Sequence, residues 1–230
     1  MVKAVFLDVG HTLIYPFPSL EEVALEVLRE EGFELPLSKL QATLKQVDEY
    51  YEKIFGENTK LWASQGEVVG LWEELYGYWM ELVGLDSRAR HLGRRLYEVF
   101  GDARKWRPFD EVLPALRRFK QEGLCLGVVS NWDDRLESIL EKLGFGDKLD
   151  FVLASAKEGL SKPDQRFFKL ALDLAGVEPA QALHVGDHPW ADFEGAHQVG
   201  IKPVLIDRFH RYPDFTSSRI ERLDQLFEFL

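Results

Sequence analysis

Asp8 closes a short apolar run and is followed by Val9-Gly10-His11-Thr12, and three later apolar runs also end in reactive side chains. Ser130-Asn131 follows one, Ser161-Lys162-Pro163 lies beyond another, and Gly186-Asp187, with Asp192 shortly after, closes a third. A carboxylate can attack phosphorus or an activated carbon and form an ester that water later cleaves, which makes Asp8 the candidate nucleophile. Hard Mg²⁺ takes oxygen ligands from one or two carboxylates together with substrate and water, a role that suits Asp8 and Asp187. The Ser130 hydroxyl can orient an oxyanion, and the Lys162 ammonium can neutralise it. Each group also has an ordinary structural reading. Strand-terminal Asp favours turns, Ser130-Asn131 can cap the next helix, and Lys162-Pro163 can be an exposed turn before a helix. Asp187 can be a helix cap and Asp192 a solvated helical residue. Their recurrence at successive strand ends favours chemistry, because open parallel sheets bind ligands beyond the carboxyl ends of their strands.

The elements that must position these groups are five β-type runs, Lys3 to Val9, Leu124 to Val129, Phe151 to Ala154, Ala182 to Val185 and Pro203 to Ile206. Helical patterns alternate with them. Asp110 to Glu122 precedes the second run, Asp133 to Leu143 carries Leu136, Ile139, Leu140 and Leu143 on one face, and Gln165 to Ala175 carries Phe168, Leu170, Leu172 and Leu174. Gly144, Gly176 and Gly200 stand where helix C-caps are wanted. The alternation predicts an α/β fold with a doubly wound parallel sheet. Residues 15–106 break the rhythm, with helical periodicity and no convincing strand, so they are expected to form an inserted all-helical cap on a core of residues 1–14 and 107–230. Its expected helices are Ser19 to Glu31, opened by a Ser19/Glu22 capping box, Ser38 to Phe55, Glu67 to Val83 and Ser87 to Phe100. Trp62, Trp72 and Trp79 are expected to pack the cap interior, with room for one to face a substrate. Polar linkers are expected near Tyr15 to Pro18 and Asp102 to Pro108.

The 230 residues suffice for a core domain with a smaller insert, and 46% apolar and 29% charged residues place the chain in the ordinary globular class. A formal charge of −11 argues against nucleic acid and anionic membranes as partners, so an anionic small-molecule substrate needs a focused positive site. The single Cys125 excludes an intrachain disulfide and points to a reducing compartment. The short N-terminal apolar run, closed by Asp8, is too brief for a signal sequence or span, and cytoplasmic residence is expected. Nothing in the sequence fixes an oligomeric state.

The four ordered signatures, Asp8 to Thr12, Ser130-Asn131, Lys162-Pro163 and Gly186-Asp187 with Asp192, resemble those of the haloacid dehalogenase (HAD) superfamily of hydrolases. The insertion after the first signature is similar to the cap of its subfamily I. Val129 to Leu136, with His184 to Asp187 and Asp192, resembles in particular the branch of haloacid dehalogenase-like hydrolase domain protein 3. The resemblance implies a Rossmann-like core and a Mg²⁺-dependent phosphatase acting on a small phosphorylated metabolite. Asp8 would be the nucleophile, Thr12 would stabilise the loop, and Ser130 and Lys162 would serve the phosphoryl group with Asn131 and His11 beside it. Asp8, the Gly10 carbonyl, Asp187 and Asp192 would form the metal site. Phosphatases of the superfamily carry a second Asp two residues after the nucleophile as general acid and base, and here that residue is Gly10. Acid–base assistance is worth about 10²–10⁴-fold, so phosphatase activity is expected to be slow or restricted to good leaving groups unless His11, or less readily His188, substitutes. Two alternatives remain. A metal-independent 2-haloacid dehalogenase needs no acid at position 10; Arg29, the one early cap Arg, is set among Glu26, Glu30 and Glu31 as on a solvated face. A catalytically weak phosphate- or protein-binding module is the other, though Asp8, Lys162 and Asp187 are costly charges to keep together without a ligand.

Overall fold

The computed structural model describes residues 1–230, apart from the side chains of Glu57 and Thr59. Its strands are β1 (Ala4–Leu7), β2 (Ile14–Pro16), β3 (Trp106–Pro108), β4 (Cys125–Ser130), β5 (Phe151–Ala154), β6 (Ala182–Gly186), β7 (Lys202–Ile206) and β8 (Arg219–Ile220). Six form one parallel sheet in the order β5-β4-β1-β6-β7-β8, as the α/β reading requires. β1 is central: Leu7 aligns with Val128 on one side and Val185 on the other, so Asp8 emerges between the ends of β4 and β6. Strand order departs in opposite directions from β1, and the crevice at such a switch point is where ligands reach the sheet.

The helices are α1 (Leu20–Glu30), α2 (Leu37–Gln41), α3 (Leu44–Glu57), α4 (Gln65–Leu82), α5 (Ala89–Val99), α6 (Val112–Gln121), α7 (Leu136–Lys142), α8 (Ser155–Glu158), α9 (Gln165–Ala175) and α10 (Gly195–His197). Successive β1 side chains point to opposite faces. Val5 and Leu7 join Leu116, Phe119, Leu136 and Ile139 of α6 and α7, whereas Ala4 and Phe6 join Phe167, Phe168 and Ala171 of α9. Both faces are thereby covered, as a parallel sheet demands. Gly144, Gly176 and Gly200 follow their helices with positive φ (86°, 62° and 83°), the left-handed turn expected at these C-caps.

Helices α1 to α5 surround an apolar cluster of their own, with Val23, Leu28, Trp79, Met80, Leu92 and Leu96 at its centre. The α4–α5 crossing is close because a Cβ on Gly93 would lie 2.5 Å from the Glu73 carbonyl oxygen and 2.7 Å from Gly77 N. A second cluster, of Phe55, Trp62, Val68 and Leu71, includes Ala191 from beyond β6 and so joins α3 and α4 to the sheet edge. Among the described residues no helix is long and apolar enough to cross a membrane.

Several local expectations need correction. The stretch Ser38 to Phe55 is two helices, α2 and α3, not one; Thr43 separates them, and its Oγ1 turns back to the Leu40 carbonyl at 2.9 Å. The regions expected as linkers pair as the antiparallel ribbon β2–β3, Tyr15 opposite Arg107; three-residue strands are too short to show a period. β8 was missed for the same reason. Helix α7 begins at Leu136 instead of Asp133, whose carboxylate is committed to Arg135 N–H at 2.9 Å. On α9 the buried face is Phe167, Phe168, Ala171 and Leu172, while Leu174 is 53% exposed, because a 100° step brings residues i, i+1, i+4 and i+5 together. At α1 only half of the expected box is present, Glu22 N–H donating to Ser19 Oγ at 3.2 Å.

The Gly93 contact gives a stability test. Gly93→Ala should cost about 1–3 kcal/mol by overpacking. Gly70→Ala, on the exposed side of α4 with nothing within 4 Å of the added Cβ, should instead stabilise by about 0.5–1 kcal/mol. Thermal denaturation of both variants reads the two opposite signs.

Candidate active site

At the C-terminal edge of the sheet Asp8 is 7% exposed, and its Oδ1 accepts from Ser130 Oγ at 2.9 Å and Lys162 Nζ at 2.6 Å. No described residue donates to its Oδ2. Lys162 also reaches Asp192 Oδ1 at 2.6 Å, so its ammonium, 2% exposed, lies between two carboxylates. Asp192 is itself fixed: Oδ1 pairs with His184 Nε2 at 2.8 Å, and Oδ2 accepts the His188 N–H at 3.1 Å. Gly186 makes room for this, since a Cβ there would overlap the Asp192 carboxylate. Asn131 is spent on holding Lys162, its Oδ1 accepting the Lys162 N–H at 2.8 Å and its Nδ2 donating to the Lys162 carbonyl at 3.1 Å. The ends of β1, β4 and β6 and the loop beyond β5 are thus joined through one hydrogen-bonded chain.

Carboxylate oxygens of Asp8, Asp187 and Asp192 lie within 4.8 Å of one another. Burial alone would raise Asp192, but the Lys162 ammonium and His184 hold it well below the usual carboxylate range. Burial pulls Lys162 down, yet Asp192 and Asp8 outweigh it and keep the ammonium charged. Asp187 has no such partner: burial first, then the charges of Asp8 and Asp192, push it up to about 8. An oxygen-only set containing one uncompensated carboxylate fits a hard divalent cation.

The remaining sequence candidates sit less centrally. His11 has a left-handed φ of 54° and meets Phe209 edge-on at 5.8 Å; burial, helped by Arg211, lowers its pKa to about 4, and its Nδ1 has no partner. Thr12 is fully buried with an unpartnered Oγ1, while its carbonyl accepts from Arg208 Nη2 at 2.8 Å and Nε at 3.1 Å. A Cβ on Gly10 would stand 3.4 Å from Trp132 Cζ3. His188 Nδ1 accepts the N–H groups of Trp190 and Ala191, each at 3.2 Å, which makes it a cap for the following turn. Arg29 is on an exposed face of α1.

Sequence reasoning missed His184, which is hidden inside an apolar strand, and Arg208, whose partner Glu111 is remote in sequence and 2.7 Å away in space. It also missed the contacts between the helical insert and the segment beyond β6. Tyr51 stacks with Phe55 at 5.8 Å and Trp72 at 6.3 Å, Phe55 meets Trp190 at 5.5 Å, and Glu52 pairs with His188 at 3.4 Å. The nearest available signal was the aromatic density of the insert.

A parallel sheet with a carboxylate, hydroxyl and ammonium at its switch point and a helical insert after β1 defines a hydrolase of a particular kind. The chain belongs to the haloacid dehalogenase-like hydrolases, whose family model matches residues 2–200. It is similar to the human haloacid dehalogenase-like hydrolase domain-containing protein 3, 32% identical over 214 residues that cover 89% of this chain and 82% of the relative. The bovine protein of the same name is 43% identical over 115 residues, half of this chain and 46% of the relative. A phosphoserine phosphatase of Thermus thermophilus is 28% identical over 99% of this chain and 97% of its own. Among solved structures, a magnesium-bound HAD hydrolase of Bacillus subtilis shares the fold at a TM-score of 0.77 and 18% identity, covering 100% of this chain and 98% of the other.

The raised Asp187 carries a pH signature. Its folded-state pKa of about 8 exceeds the ordinary 3.8, so between those values the folded protein holds a proton that the unfolded chain has released. The resulting stabilisation is complete below the unfolded value and lost as pH rises through the folded one. Metal-free protein should therefore lose thermal stability from about pH 4 to pH 8 through this group, and Asp187→Asn should flatten that part of the profile in melting curves recorded in EDTA.

Proposed function

We propose that this hydrolase is a Mg²⁺-dependent phosphatase of a small phosphorylated metabolite, working through an aspartyl-phosphate on Asp8. The observation that carries this reading is the asymmetry of Asp8: Oδ1 is pinned by Ser130 and Lys162, and Oδ2, beside two further carboxylates, has no donor among the described residues. The Thermus relative, named a phosphoserine phosphatase, supports a small phosphomonoester as substrate.

In the first step Asp8 Oδ2 attacks phosphorus and the bond to the leaving oxygen breaks. In the second, water attacks the same phosphorus, the bond to Asp8 breaks, and inorganic phosphate and the free carboxylate result. Ser130 and Lys162 hold the nucleophile in one orientation and present a hydroxyl and an ammonium to the phosphoryl oxygens. Asp8, Asp187 and the Gly10 carbonyl, supported by Asp192, would hold Mg²⁺, which when bound supplies further charge neutralisation. Asn131 acts through Lys162, and Thr12 through the loop that Arg208 grips. Residues 15–106 serve as the cap over the core of residues 1–14 and 107–230, closing through the Phe55–Trp62 cluster to keep bulk water out.

The leaving group has no evident acid. His11, pushed down to about 4 by burial, is neutral at pH 7, and the one N–H a neutral imidazole keeps is too weak an acid for the task. Esters whose leaving groups need no protonation should be favoured. Gly10 also supports a second reading, halide displacement from a 2-haloacid, because that reaction needs no acid.

An assay on aryl, acyl and alkyl phosphates and on 2-chloropropionate, each with Mg²⁺ and with EDTA, separates the two. Phosphate release from the aryl and acyl esters, abolished by EDTA and by Asp8→Asn, is expected; chloride release insensitive to EDTA would sink the phosphatase reading. Gly10→Asp, whose Cβ fits against Trp132, should speed alkyl-ester hydrolysis, up to about 10²-fold if the new carboxyl reaches the leaving oxygen. No gain on alkyl esters would show that the loop does not use an acid there.

A further inference from the structure

The segment after β7 was absent from the sequence reading, yet it is fastened to the nucleophile loop. Arg208 donates twice to the Thr12 carbonyl, and Phe209, though 52% exposed, sets its ring against the edge of His11. The turn is closed from inside: buried Asp207 accepts Arg211 N–H on Oδ1 at 2.7 Å and Tyr212 N–H on Oδ2 at 3.1 Å, and His210 takes a left-handed φ of 55°. Such a turn fixes where the next side chain starts. The Arg211 guanidinium lies 5.7 Å from the Phe209 ring centroid and acts electrostatically on His11 and Asp187 of the core and on Asp48 and Glu52 of α3.

Through Phe209 Arg211 is placed beside the nucleophile loop, within electrostatic reach of α3, and it is exposed, with no carboxylate among the described residues within 4.0 Å of it. Lys162 cannot serve the far end of a substrate, because it is buried and committed to Asp8 and Asp192. In a chain of net charge −11, an entrance bearing Asp48 and Glu52 repels anions unless a cation is aimed there. A guanidinium with its donors free offers a planar fork that matches carboxylate or phosphate oxygens.

We propose that Arg211 is a specificity-determining residue that binds a second anionic group on the leaving portion of the substrate. The inference rests on the phosphatase reading above and narrows its substrate class to phosphate monoesters whose alcohol carries a carboxylate or another phosphate. Asp207, Arg208 and Phe209 are positioning residues for it.

The test uses the full chain with Mg²⁺ and three esters of similar size: 2-phosphoglycolate, 2-hydroxyethyl phosphate and ethane-1,2-diol bisphosphate. Wild type should prefer at least one of the two esters with an anionic tail over the hydroxyethyl ester, whose tail is neutral, by about tenfold or more in kcat/KM, as one charge-assisted contact allows. Which of the two is preferred separates carboxylate from phosphate recognition. Arg211→Gln should remove most of that preference, chiefly through KM; Arg211→Lys should keep part of it, and Arg211→Glu should reverse it. A structural role at the cap–core seam would instead lower all three substrates together, and an unchanged ratio in Arg211→Gln, or no preference in wild type, overturns the inference alone. No phosphate release from any of these three alkyl esters by a protein that hydrolyses the aryl and acyl phosphates would overturn this inference alone, and silence on the aryl and acyl phosphates as well would overturn the phosphatase reading with it.

Discussion

An ammonium is kept inside a protein only where anions meet it, since an unpaired buried charge costs several kcal/mol even after relaxation, of order 3–5 kcal/mol when one partner of a pair is removed. Lys162 is met by Asp8 and Asp192, each at 2.6 Å, and much of the site follows from satisfying that arrangement. Asp192 must lie over the end of β6, so Gly186 has no side chain and His184 turns its Nε2 outward to the carboxylate. The Lys162 backbone must be held at the right height, and the amide of Asn131, at the end of β4, does this with two hydrogen bonds. Asp8 then has one oxygen fixed and one that meets no donor among the described residues. If all three carboxylates ionise, three negative charges face one ammonium and two remain; that residue of charge is what a single divalent cation would balance, and without one it appears as the raised Asp187.

This part of the molecule was readable in the sequence because each of its groups sits at the end of an apolar run, and parallel strands deliver such ends to one edge. Val128, Leu7 and Val185 are aligned in adjacent strands, so the residues just after them had to meet. Gln165–Ala175 was read to the residue, since Asp164 caps its start through Arg166 N–H at 2.9 Å and Gly176 ends it in the left-handed region. Failures have the opposite character. β2, β3 and β8 are two or three residues long and gain their stability from a partner remote in sequence, which no local pattern reports. Arg208 follows a strand with no local pattern to mark it; its importance comes from Thr12 and Glu111, both distant in the chain. Asn131 was expected to face a ligand, yet hydrogen-bonds to the Lys162 backbone, a partner that spacing does not reveal.

The nucleophile loop shows how the two levels meet. His11 is in a backbone conformation that non-glycine residues seldom adopt, and such a conformation persists only where its surroundings enforce it. Here the enforcement comes from Phe209 against the imidazole and Arg208 on the Thr12 carbonyl, both from the segment beyond β7. The strand after which Asp8 emerges is therefore not sufficient to orient the loop that carries it.

On the other side of the same loop, Gly10 faces the Trp132 indole, whose backbone N–H is tied to Ser155 Oγ at 3.0 Å and whose ring meets Trp106 at 4.9 Å. Trp106 begins β3, one of the two strands that lead into and out of the helical insert, and it packs on Phe100 at the end of α5 at 5.4 Å. Where a carboxylate could have stood beside Asp8, this chain has an apolar wall continuous with the ribbon that carries the insert. The half of the site around Asp8 is polar and buried, and its groups stand at the ends of β1, β4 and β6 and in the loop beyond β5. A second group, Trp132, the ribbon, Tyr51 and Trp62 of the insert and the turn bearing Arg211, is assembled from scattered segments. Its residues come from segments that no single periodicity links, which is why the groups at the strand ends were readable in the sequence and these were not. Trp106 ties this wall to the ribbon and to the end of α5, while Trp132 is held by Ser155 just after β5, so the wall joins the insert to the sheet beside Gly10.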